Sequence, residues 1–327
     1  MTRAAPPTLS LVIPVYNVAP FLAQCLDSLL AQTRPAEQII IVDDGSTDDG
    51  PEILRAYAAR CPAITVIRQD NQGLSGARNS GLARVTGDYL AFVDSDDFLA
   101  PDCCEKLLAQ ALAHDADIVL GNGWYHFDGR AADYPIYRDA PIDGVISGAA
   151  WLAERLARRN LLHMVWLHLY RTAFLRRHDF RFVPRLIHED VIWTNQVLLA
   201  AQRVVSDAQP HYYYRIRVRH FTPEQNDRRL LATIDSSLTN AATLEEITRR
   251  DVGEPRLRRL MRWQLVEGGL AVFHKVDQLS SAALRRQSLR ALRGAGYFAR
   301  LWRNATEVRQ RRRIARNYLR SLAAGVP

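Results

Sequence analysis

Three aspartates lie within four consecutive residues in the first third of the chain. Asp94, Asp96 and Asp97 directly follow residues 89–93, an apolar run with the length and aromatic content of a buried strand. Clustered acids repel one another unless a cation or hydrogen bonds offset the repulsion. Mg²⁺ and Mn²⁺ take oxygen ligands and commonly share one or two carboxylates with a substrate phosphate. The cluster therefore indicates a metal and phosphate site, and a solvated acidic loop that caps the next helix is the alternative.

A second acidic pair, Glu189 and Asp190, precedes residues 191–199, whose apolar side chains recur at helical spacing. Acids near the N-terminus of a helix are stabilised by the helix dipole by about 0.3–1 kcal/mol. By itself, this position explains both side chains without a catalytic role.

An alternation of strands and helices positions the first group of acids. Apolar runs predict strands at residues 9–15, 38–42, 64–67 and 89–93, and helical spacing predicts helices at 21–32, at 51–60 and from within 71–82. This alternation predicts an α/β fold with a mostly parallel sheet and helices on both faces. Ligands of such sheets bind at the carboxyl ends of the strands. Tyr16, Asp43, Asp44 and the loop at Asn71 are predicted at that same edge.

Four motifs occur in order along this region: PVYN at 14–17, VDDGSTD at 42–48, NQGLSGARNSGL at 71–82 and DSDD at 94–97. Together they resemble the inverting family 2 glycosyltransferases, which have the Rossmann-like GT-A fold. The resemblance covers roughly residues 8–220. It implies a hexosyl- or N-acetylhexosaminyl-transferase that uses a nucleotide-sugar, usually a UDP-sugar, together with Mn²⁺ or Mg²⁺.

The resemblance also implies roles for individual side chains. Asp44 would accept a hydrogen bond from the uracil, and Arg78 would lie near the donor phosphates, where a cation is physically sensible. Asp94 would face the ribose or the metal, and Asp96 would be the metal ligand of the D-x-D motif, with His220 as a further candidate. The expected donor-binding residues are Pro14, Tyr16, Asn17, Asp44, Asn71, Arg78, Asp94 and Ser95.

For catalysis, the resemblance assigns the general base to Asp190, while Glu189 would orient the acceptor or its neighbours. An inverting transfer needs a carboxylate that removes a proton from the acceptor hydroxyl as this hydroxyl attacks the anomeric carbon from the far side. Trp166 and His188 are candidate acceptor contacts, with a core tryptophan and a structural histidine as the alternatives. After Trp166 this chain has Leu-His where relatives often have Asn-Lys, so the resemblance does not identify the acceptor.

The C-terminal hundred residues are helical in pattern and rich in arginine, with breaks predicted near residues 251–255 and 280–281. Residues 285–320 contain twelve arginines and a single acid, Glu307, so this segment carries +11. Because the whole chain carries +8, the remainder carries −3. A basic amphipathic helix with aromatic residues binds an anionic membrane surface, which suits a lipid-linked acceptor. Packing on the catalytic body or on another subunit, as in a homodimer, is the alternative.

Composition limits the classes of protein. A chain of 327 residues, 48% hydrophobic and 24% charged, is ordinary for a globular protein.

We predict a catalytic domain over residues 1–222, with a donor half at about 8–120 and an acceptor half at about 121–222, followed by a helical region over 223–327. The sequence shows no signal peptide and no apolar run near the roughly 18 residues of a membrane span. The four cysteines indicate reduced thiols. We expect a cytoplasmic enzyme, peripheral on the inner face of the membrane, that acts in bacterial surface-polysaccharide or lipopolysaccharide synthesis.

Three other function classes are alternatives. The Arg-rich tail and a pI of 9.6 suit a nucleic-acid binder, but the body is mildly acidic and has no nucleic-acid-binding motif, so we expect no such partner. A non-catalytic scaffold that binds a nucleotide or a membrane would have the same fold, although Asp96 and Asp190 are both present. A sugar nucleotidyltransferase would need a glycine-rich, basic loop after the first strand, where this chain has PVYNVAP.

Overall fold

The computed structural model describes residues 6–129, 132–217 and 221–323 of the chain. Its elements in chain order are β1 (Leu9–Val15), α1 (Ala19–Leu30), β2 (Gln38–Asp43), α2 (Gly50–Arg60), β3 (Ile64–Arg68), α3 (Gly73–Leu82), β4 (Tyr89–Phe92), β5 (Phe98–Leu99), α4 (Cys103–Ala113), β6 (Ile118–His126), β7 (Tyr134–Pro135), α5 (Gly148–Ala157), a 3₁₀ turn (Val165–Leu167), β8 (His168–Arg171), α6 (Thr172–Arg177), α7 (Glu189–Ala200), β9 (Val204–Arg215), α8 (Pro223–Asp251), α9 (Pro255–Asp277), α10 (Ala282–Gly294), α11 (Tyr297–Asn304) and α12 (Val308–Ala323).

The chain forms two compact units. The first comprises Met1–Trp151, His163–Arg185 and Ala200–Val218, and the second comprises Leu152–Leu162, Leu186–Leu199 and Arg219–Pro327. Helix α7 therefore belongs to the second unit, together with the C-terminal helices. The division into domains at residue 222 remains a prediction.

The described residues of the first unit contain one nine-stranded sheet in the order β3-β2-β1-β4-β8-β6-β9-β5, with β7 paired to β6. Strand β1 is buried along its whole length and pairs in parallel with β2 and β4, while β2 pairs in parallel with β3. The register aligns Val15 with Asp43 and Val12 with Phe92. The carboxyl ends of β1, β2 and β4 therefore meet at one edge, as the alternating pattern predicts.

The second half of the sheet is mixed. Strand β8 pairs antiparallel with both β4 and β6, and β6 pairs in parallel with β9. The two-residue strands β5 and β7 pair antiparallel with β9 and β6. Strand β6 spans nine residues and continues to His126. Such pairings depend on which distant segments meet, and the residue pattern within one strand does not specify its neighbour.

In the second unit, the described residues after 221 form five consecutive helices, α8 to α12. The helix breaks at residues 252–254 and 278–281 confirm the predicted positions. Helix α8 begins with a capping box, in which Thr222 Oγ1 accepts from Gln225 N and the Gln225 side chain accepts from Thr222 N. In the parts of the chain that the structure describes, no helix combines the length and the apolar character that crossing a bilayer requires.

Gly81→Ala is expected to lower the free energy of unfolding by about 1–3 kcal/mol, because overpacking a tight core costs that much. A Cβ at Gly81 in α3 would lie 2.4 Å from Val12 Cγ1 of β1, so helix and strand would have to separate. Gly268 in α9 is the matched control. A Cβ there meets nothing within 4 Å, and Gly268→Ala is expected to stabilise the protein by about 0.5–1 kcal/mol. Urea denaturation measures both changes, and shifts of equal sign would contradict the packing argument.

Candidate active site

The loop after β2 is organised by the buried carboxylate of Asp44. Its Oδ1 accepts hydrogen bonds from Gln72 N at 2.9 Å and from Gln69 Nε2 at 2.7 Å, and its Oδ2 accepts from Gly73 N at 2.8 Å. Gly73 has a φ of +76°, a left-handed conformation that favours glycine. Asp44 therefore holds the loop between β3 and α3 at the carboxyl edge of the sheet. Its contact with a uracil remains a prediction.

The turn after β1 exposes one aromatic ring and ties down its neighbour. Half of Tyr16 is exposed, whereas Asn17, with a φ of +51°, accepts a hydrogen bond from Thr47 N through Oδ1 at 2.8 Å. Pro14 is buried within β1, and Asn71 is exposed on the loop after β3. Tyr16, Asn17 and Asn71 are thus exposed at this part of the edge, and Asn17 also fixes its backbone.

A buried cation stands beside the first aspartate of the DSDD motif. Arg78, on α3, is almost fully buried, and its Nη2 donates to Asp94 Oδ1 at 2.7 Å. The Arg78 guanidinium carbon lies 5.4 Å from the centroid of the Phe182 ring. Ser95, the next residue in the motif, is buried. The packed guanidinium fixes a positive charge at the edge of the sheet, where it suits the binding of an anion.

Asp97 is a structural carboxylate. Its Oδ2 accepts from the Tyr212 hydroxyl and its Oδ1 accepts from Arg215 N, both at 2.8 Å. Burial, reinforced by the charges of the two neighbouring aspartates, raises the pKa of Asp97 well above its usual range. The alternative of a solvated acidic loop that caps the next helix is wrong for Asp97, because its side chain is buried and α4 begins only at Cys103. Asp97 instead joins the motif to strand β9.

Asp96 is the aspartate of the motif that faces a second cation. Its Oδ2 lies 3.0 Å from Arg217 Nε, and 21% of its side chain is exposed. The Arg217 guanidinium carbon lies 5.1 Å from the Phe21 ring centroid. Within residues 6–129, 132–217 and 221–323, no three His, Cys, Asp or Glu side chains converge into a complete metal site. One carboxylate fits a cation whose other ligands are substrate phosphates and water. His220 lies outside the described residues.

Trp166 belongs to an aromatic cluster inside the first unit. Its ring stacks on Tyr214 with centroids 4.9 Å apart and is tilted against Tyr212 at 4.4 Å, and the residue is buried. His168, two residues later on β8, is also buried, and burial lowers its pKa to about 3, so it is neutral at pH 7. A contact between Trp166 and an acceptor remains a prediction.

In the second unit, Glu189 and Asp190 form the first turn of α7. Glu189 is buried and Asp190 is half-buried, while His188 is exposed and has a left-handed φ of +61°. Helix α8 holds the segment before this turn, since Asn240 Nδ2 donates to Ile187 O at 3.1 Å. The two acids are therefore placed in the first turn of a helix whose preceding segment is held by α8.

Comparison with known proteins identifies the family. The sequence model described as glycosyl transferase family 2 matches residues 10–180, which is more than half of the chain. YibD, an uncharacterized glycosyltransferase of Escherichia coli, is 30% identical over 307 residues, covering 92% of this chain and 88% of its own length. The chain belongs to glycosyl transferase family 2.

Solved structures of other proteins resemble nearly the full length of the chain. TarS of S. aureus, residues 1–349, matches with a TM-score of 0.62 at 19% identity, covering 95% of this chain and 89% of TarS; TarS has also been solved in complex with UDP-GlcNAc. The mannosyltransferase PcManGT of Pyrobaculum calidifontis, in complex with GDP-Man and Mn²⁺, matches with a TM-score of 0.58 at 16% identity, covering 99% and 89%. These matches confirm the predicted GT-A fold with a helical C-terminal region.

Two residues that organise the site of this family 2 glycosyltransferase were not predicted to do so. Tyr212 and Arg215, both on β9, bind Asp97, and Arg215 Nε also donates to the main-chain oxygen of Asp96 at 2.9 Å. Arg215 forms an ion pair with Asp128 as well. The sequence signal was the run HYYYR at residues 211–215, whose aromatic residues are typical of a strand. Its pairing with the motif required the fold.

Proposed function

We propose that this protein is an inverting, metal-dependent glycosyltransferase that moves a hexosyl or N-acetylhexosaminyl group from a UDP-sugar to a hydroxyl of a glycan or lipid-linked glycan. The observation that carries the proposal is the different environment of each aspartate in the motif. Asp97 is buried in protein hydrogen bonds, and Asp94 is bonded to buried Arg78. Asp94 and Asp96 are similarly exposed, at 22% and 21% of their side chains, but Arg217 beside Asp96 is itself partly exposed, whereas Arg78 beside Asp94 is buried. Asp96 is therefore the carboxylate whose surroundings are more open to a cation that also binds the donor diphosphate.

The reaction requires charge stabilisation at the leaving diphosphate and a base at the acceptor. A divalent cation held by Asp96 would neutralise charge on the departing phosphates. Arg78 and Arg217 add positive charge for the same group. Asp190 takes the proton of the acceptor hydroxyl as its oxygen attacks the anomeric carbon from the face opposite the diphosphate. The bond between that carbon and the phosphate oxygen breaks, the configuration inverts, and Glu189 orients the groups around the acceptor.

Calorimetric titration of UDP, GDP and CMP, each with and without Mn²⁺, tests this function. TarS has been solved with UDP-GlcNAc and PcManGT with GDP-Man and Mn²⁺, which supports a nucleotide-sugar donor. We expect metal-dependent binding of UDP alone. Binding of GDP in place of UDP would correct the donor, and the absence of binding by all three nucleotides would favour the non-catalytic scaffold.

We further propose that α11 and α12 contact an anionic membrane surface on the cytoplasmic side. Several arginines of this region form ion pairs within the second unit, with carboxylates of α8 and α9. These pairs are Arg300 and Arg303 with Glu245, Arg313 with Glu267, and Arg320 with Asp277. Arg309, Arg312 and Arg316 point outward on α12, and such exposed arginines attract anionic lipid headgroups.

Apolar side chains accompany these outward arginines. Val308, Leu319 and Leu322 recur at helical spacing with Arg312 on one side of α12, which we call the α12 face, and Val308 and Leu319 are 66% and 64% exposed. A helix that combines exposed apolar residues with arginines binds at the boundary between headgroups and acyl chains. A location there suits transfer to a lipid-linked glycan. A homodimer contact through the same face is the alternative.

The double substitution Leu319→Glu with Leu322→Glu is expected to weaken binding to phosphatidylglycerol vesicles by about tenfold or more, because each buried leucine contributes about 1.5–3 kcal/mol. Vesicle sedimentation measures the binding. Leu112→Glu is the matched control, since Leu112 is an exposed leucine of α4 in the first unit. Point substitutions are preferable to deletion of residues 285–327, which would remove buried residues of the helical unit such as Leu301. Unchanged vesicle binding by the double variant would exclude the α12 face.

A further inference from the structure

Three tyrosines form a cross-strand row on the sheet of the first unit. Tyr134 of β7 is paired with Tyr125 of β6, and Tyr125 is paired with Tyr214 of β9. Their ring centroids are 5.2 Å apart for Tyr134 and Tyr125, and 6.0 Å apart for Tyr125 and Tyr214. We call this row the tyrosine ladder. Because the three residues are neighbours in register, their rings form a row across three strands, tilted by 47° and 66° from one ring to the next.

The inner end of the tyrosine ladder reaches the aspartate motif. Tyr214 and Tyr212 are two residues apart on β9 and therefore share one face of the strand. Both rings contact Trp166, and the Tyr212 hydroxyl donates to Asp97 Oδ2 at 2.8 Å. The pKa of Tyr214 is raised by burial and by the charges of the motif aspartates, as expected for a ring near them. The ladder thus starts beside Tyr212, which binds the structural carboxylate of the aspartate motif, next in sequence to Asp96.

The outer end of the tyrosine ladder is open to solvent. Tyr134 is 38% exposed, and the Arg138 guanidinium carbon lies 4.4 Å from its ring centroid. The Phe127 ring adds a tilted contact to Tyr134 at 5.5 Å. Aromatic rings with hydroxyl and guanidinium groups at their rim offer both an apolar face and hydrogen-bond donors. This combination matches a pyranose, which has a face of C–H groups and an edge of hydroxyls.

Sheet stability alone does not account for this arrangement. Cross-strand aromatic pairs stabilise a sheet by about 0.2–1 kcal/mol each. Rings that are buried against a core provide this stabilisation without being exposed to solvent. In the ladder the outermost ring is exposed on a strand of only two residues. Exposed aromatic surface that continues into a site is characteristic of ligand binding.

We propose that the tyrosine ladder binds two consecutive pyranose units of the acceptor glycan, with the outer unit on Tyr134. Neighbouring strands lie about 4.8 Å apart, so three strands span about 10 Å, roughly the length of a disaccharide. The inference rests on the proposed glycosyltransferase function, since it assigns the acceptor of the same site. It also identifies the acceptor as a chain of at least two sugars in place of a single sugar or a lipid alcohol alone.

Saturation-transfer NMR of the full chain with four disaccharides, cellobiose, lactose, maltose and N,N′-diacetylchitobiose, tests the proposal. Wild type is expected to bind at least one of them saturably. Tyr134→Ala is expected to weaken that binding by about five- to tenfold, in line with about 1–1.4 kcal/mol for one aromatic contact. Tyr134→Phe is expected to stay within about twofold of wild type, because stacking needs the ring and not the hydroxyl.

Two controls make the result specific. Tyr318→Ala removes an exposed tyrosine of α12 in the second unit and is expected to leave disaccharide binding unchanged. UDP binding with Mn²⁺ is expected to be the same in wild type and Tyr134→Ala, so a failure of the donor site would be seen separately by calorimetry. No saturable binding of any of the four disaccharides to wild type, or equal binding by wild type and Tyr134→Ala, would overturn the assignment.

Discussion

Replacing Asp190 with asparagine is expected to slow sugar transfer by about 10²- to 10⁴-fold, the usual contribution of a general base. The amide has nearly the same shape as the carboxylate but cannot take the proton of the acceptor hydroxyl. UDP binding with Mn²⁺ is expected to be unchanged, because the donor residues are assigned to other positions. The rate of UDP release in the presence of acceptor measures the first effect, and calorimetry measures the second.

The competing explanation of Asp190 is purely structural, since an acid in the first turn of a helix stabilises it by about 0.3–1 kcal/mol. Glu224 provides the matched control because it occupies the first turn of α8 and is exposed. Both Asp190→Asn and Glu224→Gln are expected to cost a few tenths of a kcal/mol to about 1 kcal/mol of stability. Only the first is expected to slow transfer. Wild-type turnover by Asp190→Asn would show that another group is the base.

Asp96→Ala is expected to remove the dependence of UDP binding on Mn²⁺. Mutating a residue that only hydrogen-bonds to a metal ligand lowers metal affinity by about 10- to 100-fold. Removing Asp96, the proposed carboxylate ligand itself, is therefore expected to lower metal affinity by at least about 100-fold. Calorimetric titrations of UDP with and without Mn²⁺ would then give the same affinity. The protein is expected to remain folded, because the ion pair between Asp96 and Arg217 is partly exposed and such pairs contribute about 0–1 kcal/mol.

Asp97→Ala is the contrasting substitution in the same motif. It leaves the Tyr212 hydroxyl and Arg215 N without their acceptor in a buried place, and each unsatisfied group costs about 1–3 kcal/mol. Burial and the neighbouring aspartates raise the pKa of Asp97, so the charged carboxylate is unfavourable there. Removing this carboxylate offsets part of the cost. We expect a net loss of about 2–4 kcal/mol in the free energy of unfolding, measured in urea. A large stability loss in Asp96→Ala and none in Asp97→Ala would reverse the two roles.

Much of the first half of the fold could be predicted because β1, β2 and β4 are buried on both faces and read as continuous apolar runs. Strand β1 and the starts of β2 and β3 fall at the predicted residues, and the two breaks between α8 and α10 fall where proline, glycine and serine interrupt the helical pattern. These signals are local, and local signals survive without knowledge of the fold. The antiparallel strand β8 and the two-residue strands β5 and β7 have no such signal.

The sequence by itself determined the family, through four motifs in order, and the chemical types of the groups at the carboxyl edge of the sheet. Only the tertiary structure decided which of the three clustered aspartates is buried. Hydrogen bonds from Tyr212 and Arg215 reach Asp97 across more than a hundred residues of chain, and burial rather than residue type separates Asp97 from Asp96. The tyrosine ladder has the same origin. Tyr214 comes from a strand distant in sequence from Tyr125 and Tyr134, and it adjoins them only because the sheet aligns β9 with β6.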